Sequence, residues 1–458
     1  MSRPALQRLL NGRIVILLIA ILTSVLVLLL PEDEREGLPF WTTRTQHYDS
    51  YAPNLAQWNA AHPHKRVDMQ MIPEPAFERR MLSGFLTGTP VADLLEASST
   101  VSPKAFLGPL DQVGFLDLTD RLHAEGVYEQ FNEASFAPYT SRGRIFGLPH
   151  DVHPVLLAYR ADIVEAAGID VSQIETWDDY FRIMAPLMAD HDGDGRPDRY
   201  LLEFSEIRTT EIVMLMLQNG GAIFDENDDP AFANKRNAHV LAHLITWVAG
   251  PNRSAIEISW TPSGHRQRLD GMAIGTIAPD WLLGGWKLEN PGLSGKVKVM
   301  PLPAWERGGR RVSVARGCMI GISKTSENID LAWEVALYLY TSADVAETLF
   351  NQVCIISPVK ALWEQPFYHE PDPFYSGQAI GSLYIHYAPQ VPRYPSSAYT
   401  PNAEHSIATA AMDLRAYAER NGIYDAEALK SEALRLLQEK QDALKRLITR
   451  NVFLETAQ

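Results

Sequence analysis

The stretch GRIFGLPHDVHPVLLAYRADIVEAAGIDVSQIETWDDY, residues 143–180, decides how the rest of the chain is read. Gly143, Gly147 and Pro149 break its first part into short extended pieces, because glycine and proline interrupt regular elements. Residues 155–159 are an apolar run of strand length, and residues 161–168 have the pattern of a short helix stopped by glycine. Thr176 offers an N-cap hydroxyl ahead of Trp177, and Asp178 and Asp179 sit where a helix N-terminus favours negative charge. Pieces in this order describe a chain crossing from one lobe to another.

Toward the N-terminus, residues 38–42 read as a strand, 48–61 as a helix ended by His62-Pro63, and 66–71 as a second strand. A helix over 77–87 and a third strand over 91–96, running into Ser98-Ser99-Thr100, complete a β-α-β-α-β order. That order calls for a parallel sheet with right-handed crossovers. Toward the C-terminus, helices are expected at 177–189, 209–218, 236–248 and around Arg266, with strands at 200–204, 272–277, 297–300 and 318–323. A helix follows at 329–340, with Ala332, Trp333, Val335, Ala336 and Leu339 at helical spacing. Residues 353–358 read as a last crossover. The Pro- and Tyr-rich stretch 366–401 reads as irregular with one short helix at 378–387, and two helices, 404–421 and 425–450, close the chain.

Gly143, Phe146, Gly147, Leu148 and Pro149, then Asp162, Ile163, Ala167, Gly168 and Ile169, then Thr176, Trp177 and Asp178 follow a characteristic order. In that order the sequence resembles the extracellular solute-binding proteins of ABC importers, in their large carbohydrate-binding, maltose-receptor-like branch. FWTT at 40–43, GTPVADLLEAS at 88–98, QNGGAIFDEN at 218–227 and GCMIGISKTSENIDLAWEVALYLYTSADVAETL at 317–349 extend the resemblance to the mid-360s. The last ninety or so residues match more loosely. The resemblance implies an α/β, two-lobe periplasmic-binding-protein-like fold with a hinge and several chain crossovers. Lobe one would hold residues 38–149 and 313–355, and lobe two 150–312 and 356–458. It also implies capture of a carbohydrate and delivery to an ABC transporter permease, without covalent chemistry.

The chain has 458 residues, enough for two or three domains, with 46% hydrophobic and 21% charged residues, as in ordinary globular proteins. Its formal net charge of −15 argues against a nucleic-acid partner, whose binding rests on Lys and Arg. Residues 14–30 carry no charge, and as a helix they would be about 25 Å long, at the short edge of what crosses a bilayer. Arg3, Arg8 and Arg13 precede them and Glu32, Asp33, Glu34 and Glu36 follow, so the positive-inside rule puts the N-terminus in the cytoplasm. A single-pass inner-membrane anchor is therefore expected, with the lobes outside. The competing reading is a cleaved signal peptide, but no small-x-small site precedes Pro31 and no lipid-accepting cysteine is present. Cys318 and Cys354 could pair or stay free.

Ligands of open α/β sheets bind beyond the carboxyl ends of the strands. The loops there hold Trp41, Thr42 and Thr43; Glu96 and Ser98; His150 and Asp151; Glu206; Asp280 and Trp281; and Arg316. A sugar needs an aromatic platform beside groups that exchange hydrogen bonds with hydroxyls. Trp41, Trp281 and Trp286 are candidate platforms, although Trp41 could equally be a core residue. Asp151, Asp280 and Glu96 are candidate acceptors and Arg316 a donor, with Asp151 also suited to capping the hinge backbone. Asp280-Trp281 precedes Gly284-Gly285, which reads as a turn.

Asp190, Asp192, Asp194, Arg196 and Asp198 occupy positions 1, 3, 5, 7 and 9 of a calcium-loop pattern, with Gly195 at the sharp turn. Leu201 replaces the bidentate Glu at position 12, so a weak, structural calcium ion is expected, or a metal-free turn. No HExxH, GxSxG, P-loop or GxGxxG motif occurs. The alternatives are an exported carbohydrate-active enzyme with paired carboxylates, or the same fold used as a ligand sensor.

Overall fold

A computed structural model describes residues 12–29, 37–188, 190, 193, 195, 197–225, 227–395 and 397–450. Helix α1 (Gly12–Leu29) precedes the folded body. Among the described residues no helix is long and apolar enough to cross a membrane.

The parallel sheet implied by the β-α-β-α-β order is present. Strands β1 (Leu38–Thr42), β2 (Val67–Met71) and β3 (Leu94–Ser98) pair in parallel, connected by α2 (Thr45–Ala61) and α3 (Glu74–Thr87). All of β3 is buried, as its central position requires. After α4 (Thr119–Ala124), the hairpin of β4 (Thr140–Ser141) and β5 (Arg144–Ile145) turns at Arg142 and Gly143, both at positive φ. Gly143 thus serves a hairpin, and the crossing begins only after β6 (Leu148–Pro149).

The second sheet is built around β7 (Pro154–Arg160), whose residues are all buried. Helices α5 (Ala161–Ala166) and α6 (Trp177–Met184) follow as expected. Thr176 and Asp179 form a capping box, each side chain accepting from the other's backbone N–H at 3.2 and 3.3 Å. Helix α6 stops short of 189 because Pro186 forces a 3-10 turn over Ala185–Leu187. Strands β8 (Tyr200–Glu203), β9 (Ala255–Ile256) and β10 (Ala273–Pro279) alternate with α7 (Thr209–Gln218), α8 (Lys235–Val248) and α9 (Pro262–Asp270).

Residues 280–289 are a helix, α10 (Asp280–Glu289), and not a turn at Gly284-Gly285. A Cβ on Gly284 would lie 2.2 Å from the Val353 carbonyl oxygen, so this glycine lets the helix approach another backbone. Trp286 is buried in this helix among the core residues, which removes it as a platform.

Strand β11 (Val297–Met300) and the short β12 (Ser313–Val314) both pair with β7. The return to the first sheet therefore follows Val314, just beyond the expected 313. There β13 (Cys318–Ile322) runs antiparallel to β3 and β6. The sheets read β2-β1-β3-β13-β6 and β11-β7-β10-β8-β9. Helices α11 (Ile329–Thr341) and α12 (Ala343–Val353) finish the first lobe, α12 packing on α2 and α10. Helix α13 (Ile380–Tyr387) and the long α14 (Thr400–Asn421) and α15 (Ala426–Ile448) pack with the second, α14 against α7 and α15 against α8. Cys318 and Cys354 are buried free thiols.

Candidate functional site at the hinge and strand edges

The backbone passes between the sheets after Pro149, after Val314 and after Val353, and the three passages are tied together. His150 N–H donates to the Cys318 carbonyl at 2.9 Å, Val152 N–H to Ile356 at 3.2 Å, and Ala315 N–H to His153 at 3.0 Å. Two carboxylates add cross-links: Asp151 Oδ2 accepts from Cys318 N–H at 3.2 Å, and Asp280 Oδ2 from Ile356 N–H at 2.9 Å. Asp280 Oδ1 also accepts from Trp281 N–H at 2.8 Å, at the start of α10.

His153 sits between these carboxylates, Nε2 at 3.1 Å from Asp151 and Nδ1 at 2.7 Å from Asp280, on a backbone with φ of 47°. Burial disfavours its charge, but Asp151 and Asp280 raise its pKa to about 10, so it is an imidazolium at neutral pH. Burial likewise opposes the Asp151 charge, and His153 and His150 overcome it, holding the carboxyl well below the usual range. A continuous buried ionic link thus joins the first crossing to the root of α10.

A second buried group lies on the lobe-one side. Glu96 accepts hydrogen bonds from the Thr42 hydroxyl, from Tyr51 at 2.6 Å and from Tyr340 at 3.2 Å. The His47 ring stacks on His150 with centroids 4.2 Å apart, and His150 Nδ1 is 3.0 Å from Asp151 Oδ2. Burial works against the Glu96 charge, yet the His47 and His150 rings and the Thr42 hydroxyl bring its carboxyl down to about 2. Burial pushes the His47 imidazole down, and Glu96 pulls it the other way.

Thr42, Glu96, His150, Asp151 and Asp280 are therefore buried and bonded to protein groups, and the structure uses them to hold the hinge rather than to line an open wall. Trp41 is buried against Phe77 at 6.4 Å in the core of lobe one. The Ser98 hydroxyl pairs with Thr100 at 2.7 Å. The open depression of about 740 Å³ beside Trp41 is lined wholly by lobe-one residues such as Arg79 and Ser83, so it is not an interlobe cleft.

The other candidate surface is the pair of strand edges that meet at the hinge. Pro279, at the carboxyl end of β10, pairs with Val155, next to the first crossing, and Ser98, at the end of β3, pairs with Cys318, next to the second. The lobe-one edge carries Thr43, Arg44, Ser99 and Arg316. The hydroxyls of Thr43 and Ser99 and the Arg316 Nε are buried without a partner among the described residues. The lobe-two edge carries Glu206, Arg208, Glu257, Trp260 and Trp281, and the Glu206 Oε2 is unpartnered in the same sense.

Trp281 is 42% exposed and Trp260 45%. A Cβ on Gly285, four residues after Trp281 and so on the same face of α10, would lie 3.9 Å from the Trp260 ring. The Arg268 guanidinium lies 4.6 Å over the Trp260 ring and is locked by Glu203 at 2.6 and 2.8 Å. Two aromatic surfaces thus stand on one edge, one with a rigid cationic backing.

Sequence reasoning missed Trp260, because the end of the two-residue β9 gives no periodic signal. It also missed what α14 contributes: Arg316 pairs with Glu404, which accepts from Tyr394 at 2.6 Å, and Glu206 pairs with Arg415 at 2.6 Å. In the expected calcium loop, the Asp190 carboxylate accepts from Gly193 and Gly195 N–H at 2.7 and 2.9 Å, and Asp198 is among the described residues. Asp192, Asp194 and Arg196 lie outside them.

Two α/β sheets whose carboxyl edges converge on three linked passages define a hinged, two-lobe binding protein. The chain belongs to the bacterial extracellular solute-binding protein family, which its residues 41–346 match. An arabinooligosaccharide-binding protein of Halalkalibacterium halodurans is 25% identical over 387 residues, 82% of this chain and 84% of that protein. The arabinooligosaccharide-binding protein of Bacillus subtilis is 24% identical over 322 residues, 69% and 71% of the two chains. Among solved structures, the sugar-binding protein MalE from Xanthomonas citri matches with a TM-score of 0.70 at 19% identity, over 91% of this chain and 99% of that one. A cyclo/maltodextrin-binding protein complexed with maltotetraose matches with a TM-score of 0.64 at 17% identity, over 90% and 98%. The structures confirm the fold expected from residues 143–180. Family membership makes the chain an extracytoplasmic receptor of solutes and gives no support to the enzyme alternative.

Proposed function

We propose that this receptor captures an oligosaccharide between its lobes and delivers it to an ABC transporter permease. The observation that carries the reading is the pair of exposed tryptophans, Trp260 and Trp281, on one face of the lobe-two edge. Sugar rings present an apolar C–H face that stacks on such surfaces, while their hydroxyls satisfy groups such as Glu206, Thr43 and Arg316. Two platforms suit a chain of sugar units better than a single ring. The names of the two relatives point to arabino-oligosaccharides as the first ligands to try.

Calorimetry with arabino- and malto-oligosaccharides and the parent monosaccharides tests this. An oligosaccharide that binds one to one and is recovered intact supports it. No heat with any of them contradicts it, and shortened products would point to an enzyme.

Membrane attachment through α1 belongs to the same proposal. Ile16, Leu17, Leu18, Ile19 and Leu22 are exposed on that helix, and a bilayer would cover them. A protein released by carbonate washing of the membrane fraction would refute it. The weak calcium site at residues 190–198 is a separate proposal, and equal calcium heats for wild type and Asp192→Ala would remove it.

A further inference from the structure

We infer that His47, Glu96 and His150 form a buried binding site for one zinc-class divalent metal ion. One potential ligand atom from each of these three lies within 4.8 Å of the other two. They come from the start of α2, from β3 and from the first crossing, so the fold rather than a local motif assembles them.

The hydrogen-bond pattern around the three favours a metal over a purely polar core. His150 Nδ1 is 3.0 Å from Asp151 Oδ2, which fixes the ring proton there and leaves the Nε2 lone pair free. That Nε2 is buried and has no partner among the described residues. His47 Nδ1, also buried, stands 3.2 Å from Glu96 Oε1. A carboxylate behind one ligating histidine, and hydroxyls from Thr42, Tyr51 and Tyr340 behind the ligating carboxylate, are the outer contacts that orient metal ligands.

Two imidazole nitrogens and one carboxylate oxygen are the donor set of a zinc site with one further position. Bonds of about 2.0–2.2 Å imply ligand separations of about 3.4 Å. The His47–Glu96 distance already meets that, the other separations must close by up to about 1.4 Å, and the His47 and His150 rings, stacked 4.2 Å apart, must turn so that their lone pairs converge. A bound ion would tie α2 and β3 to the hinge and stiffen the lobe-one side of the crossing. It would do so with or without a sugar, so this inference stands apart from the carbohydrate reading.

The test uses the full chain, purified without a polyhistidine tag, stripped with a chelator and titrated with Co²⁺ and then Zn²⁺. The expected result is one equivalent of Co²⁺ bound, the intense visible bands of a four-coordinate site, and their loss when Zn²⁺ displaces it. His150→Ala should abolish the bands while keeping a cooperative thermal transition. Bands that survive in that variant, or no stoichiometric uptake of either ion by the wild type, overturn the inference. Should His150→Ala not fold, zinc-edge X-ray absorption of the wild-type complex decides: two imidazoles in the first shell support the site, and an all-oxygen shell overturns it.

Discussion

His153 carries a charge in the middle of the hinge only because Asp151 and Asp280 flank it. Its folded pKa of about 10 lies above the unfolded value near 6.5, so its contribution to stability is complete below about pH 6.5 and is lost as the pH rises toward 10. Asp151 behaves in the opposite sense, contributing fully above its unfolded pKa near 3.9 and less as the pH falls below it. Urea-unfolding free energies measured from pH 6.5 to 10 should therefore decline for the wild type and stay nearly flat for His153→Gln. Equal slopes would show that the imidazolium is not formed. Trp281→Ala and Trp260→Ala remove half-exposed rings, so each should leave the fold intact and weaken oligosaccharide binding about tenfold, or about 1.4 kcal/mol. Unchanged affinity by calorimetry would remove the platforms. The role of Trp281 as a platform is what these variants test, while its place at a strand edge was legible in the sequence because it follows an apolar strand. The inward aim of Asp280 was not, since its partner His153 lies 127 positions away and sequence spacing says nothing about that contact.

At the scale of elements, apolar periodicity and glycine or proline breaks located most helices and strands, and the Thr176 capping box formed as read. Helix α10 escaped because Gly284-Gly285 has the local signature of a turn, and only the approach of Val353 explains the first glycine. That explanation separates the two glycines. Gly284→Ala would drive a methyl into the Val353 backbone and should cost about 1–3 kcal/mol, as overpacking does. Gly285→Ala meets only Trp260 at 3.9 Å and should be neutral or stabilising by up to about 1 kcal/mol through helix propensity. Urea unfolding of the two variants checks this, and equal losses would contradict the close-approach argument. The closing helices were legible by their periodicity. What α14 brings to the strand edges, Glu404 and Arg415, depends on how it packs against α7 and could not be seen in its own sequence.

For the whole molecule, capture of a solute between two lobes joined by three passages implies an equilibrium between open and closed arrangements. A ligand shifts it only by as much as it binds one state better, and a solute gripped by both edges binds the closed state better. Such a ligand at a hundred times its Kd should add about 2.7 kcal/mol of stability, read as a rise in melting temperature. Small-angle X-ray scattering during an oligosaccharide titration tests capture between the lobes most directly. The radius of gyration should fall and saturate with the midpoint given by calorimetry. Saturating calorimetric binding with no change in radius would contradict closure around the solute.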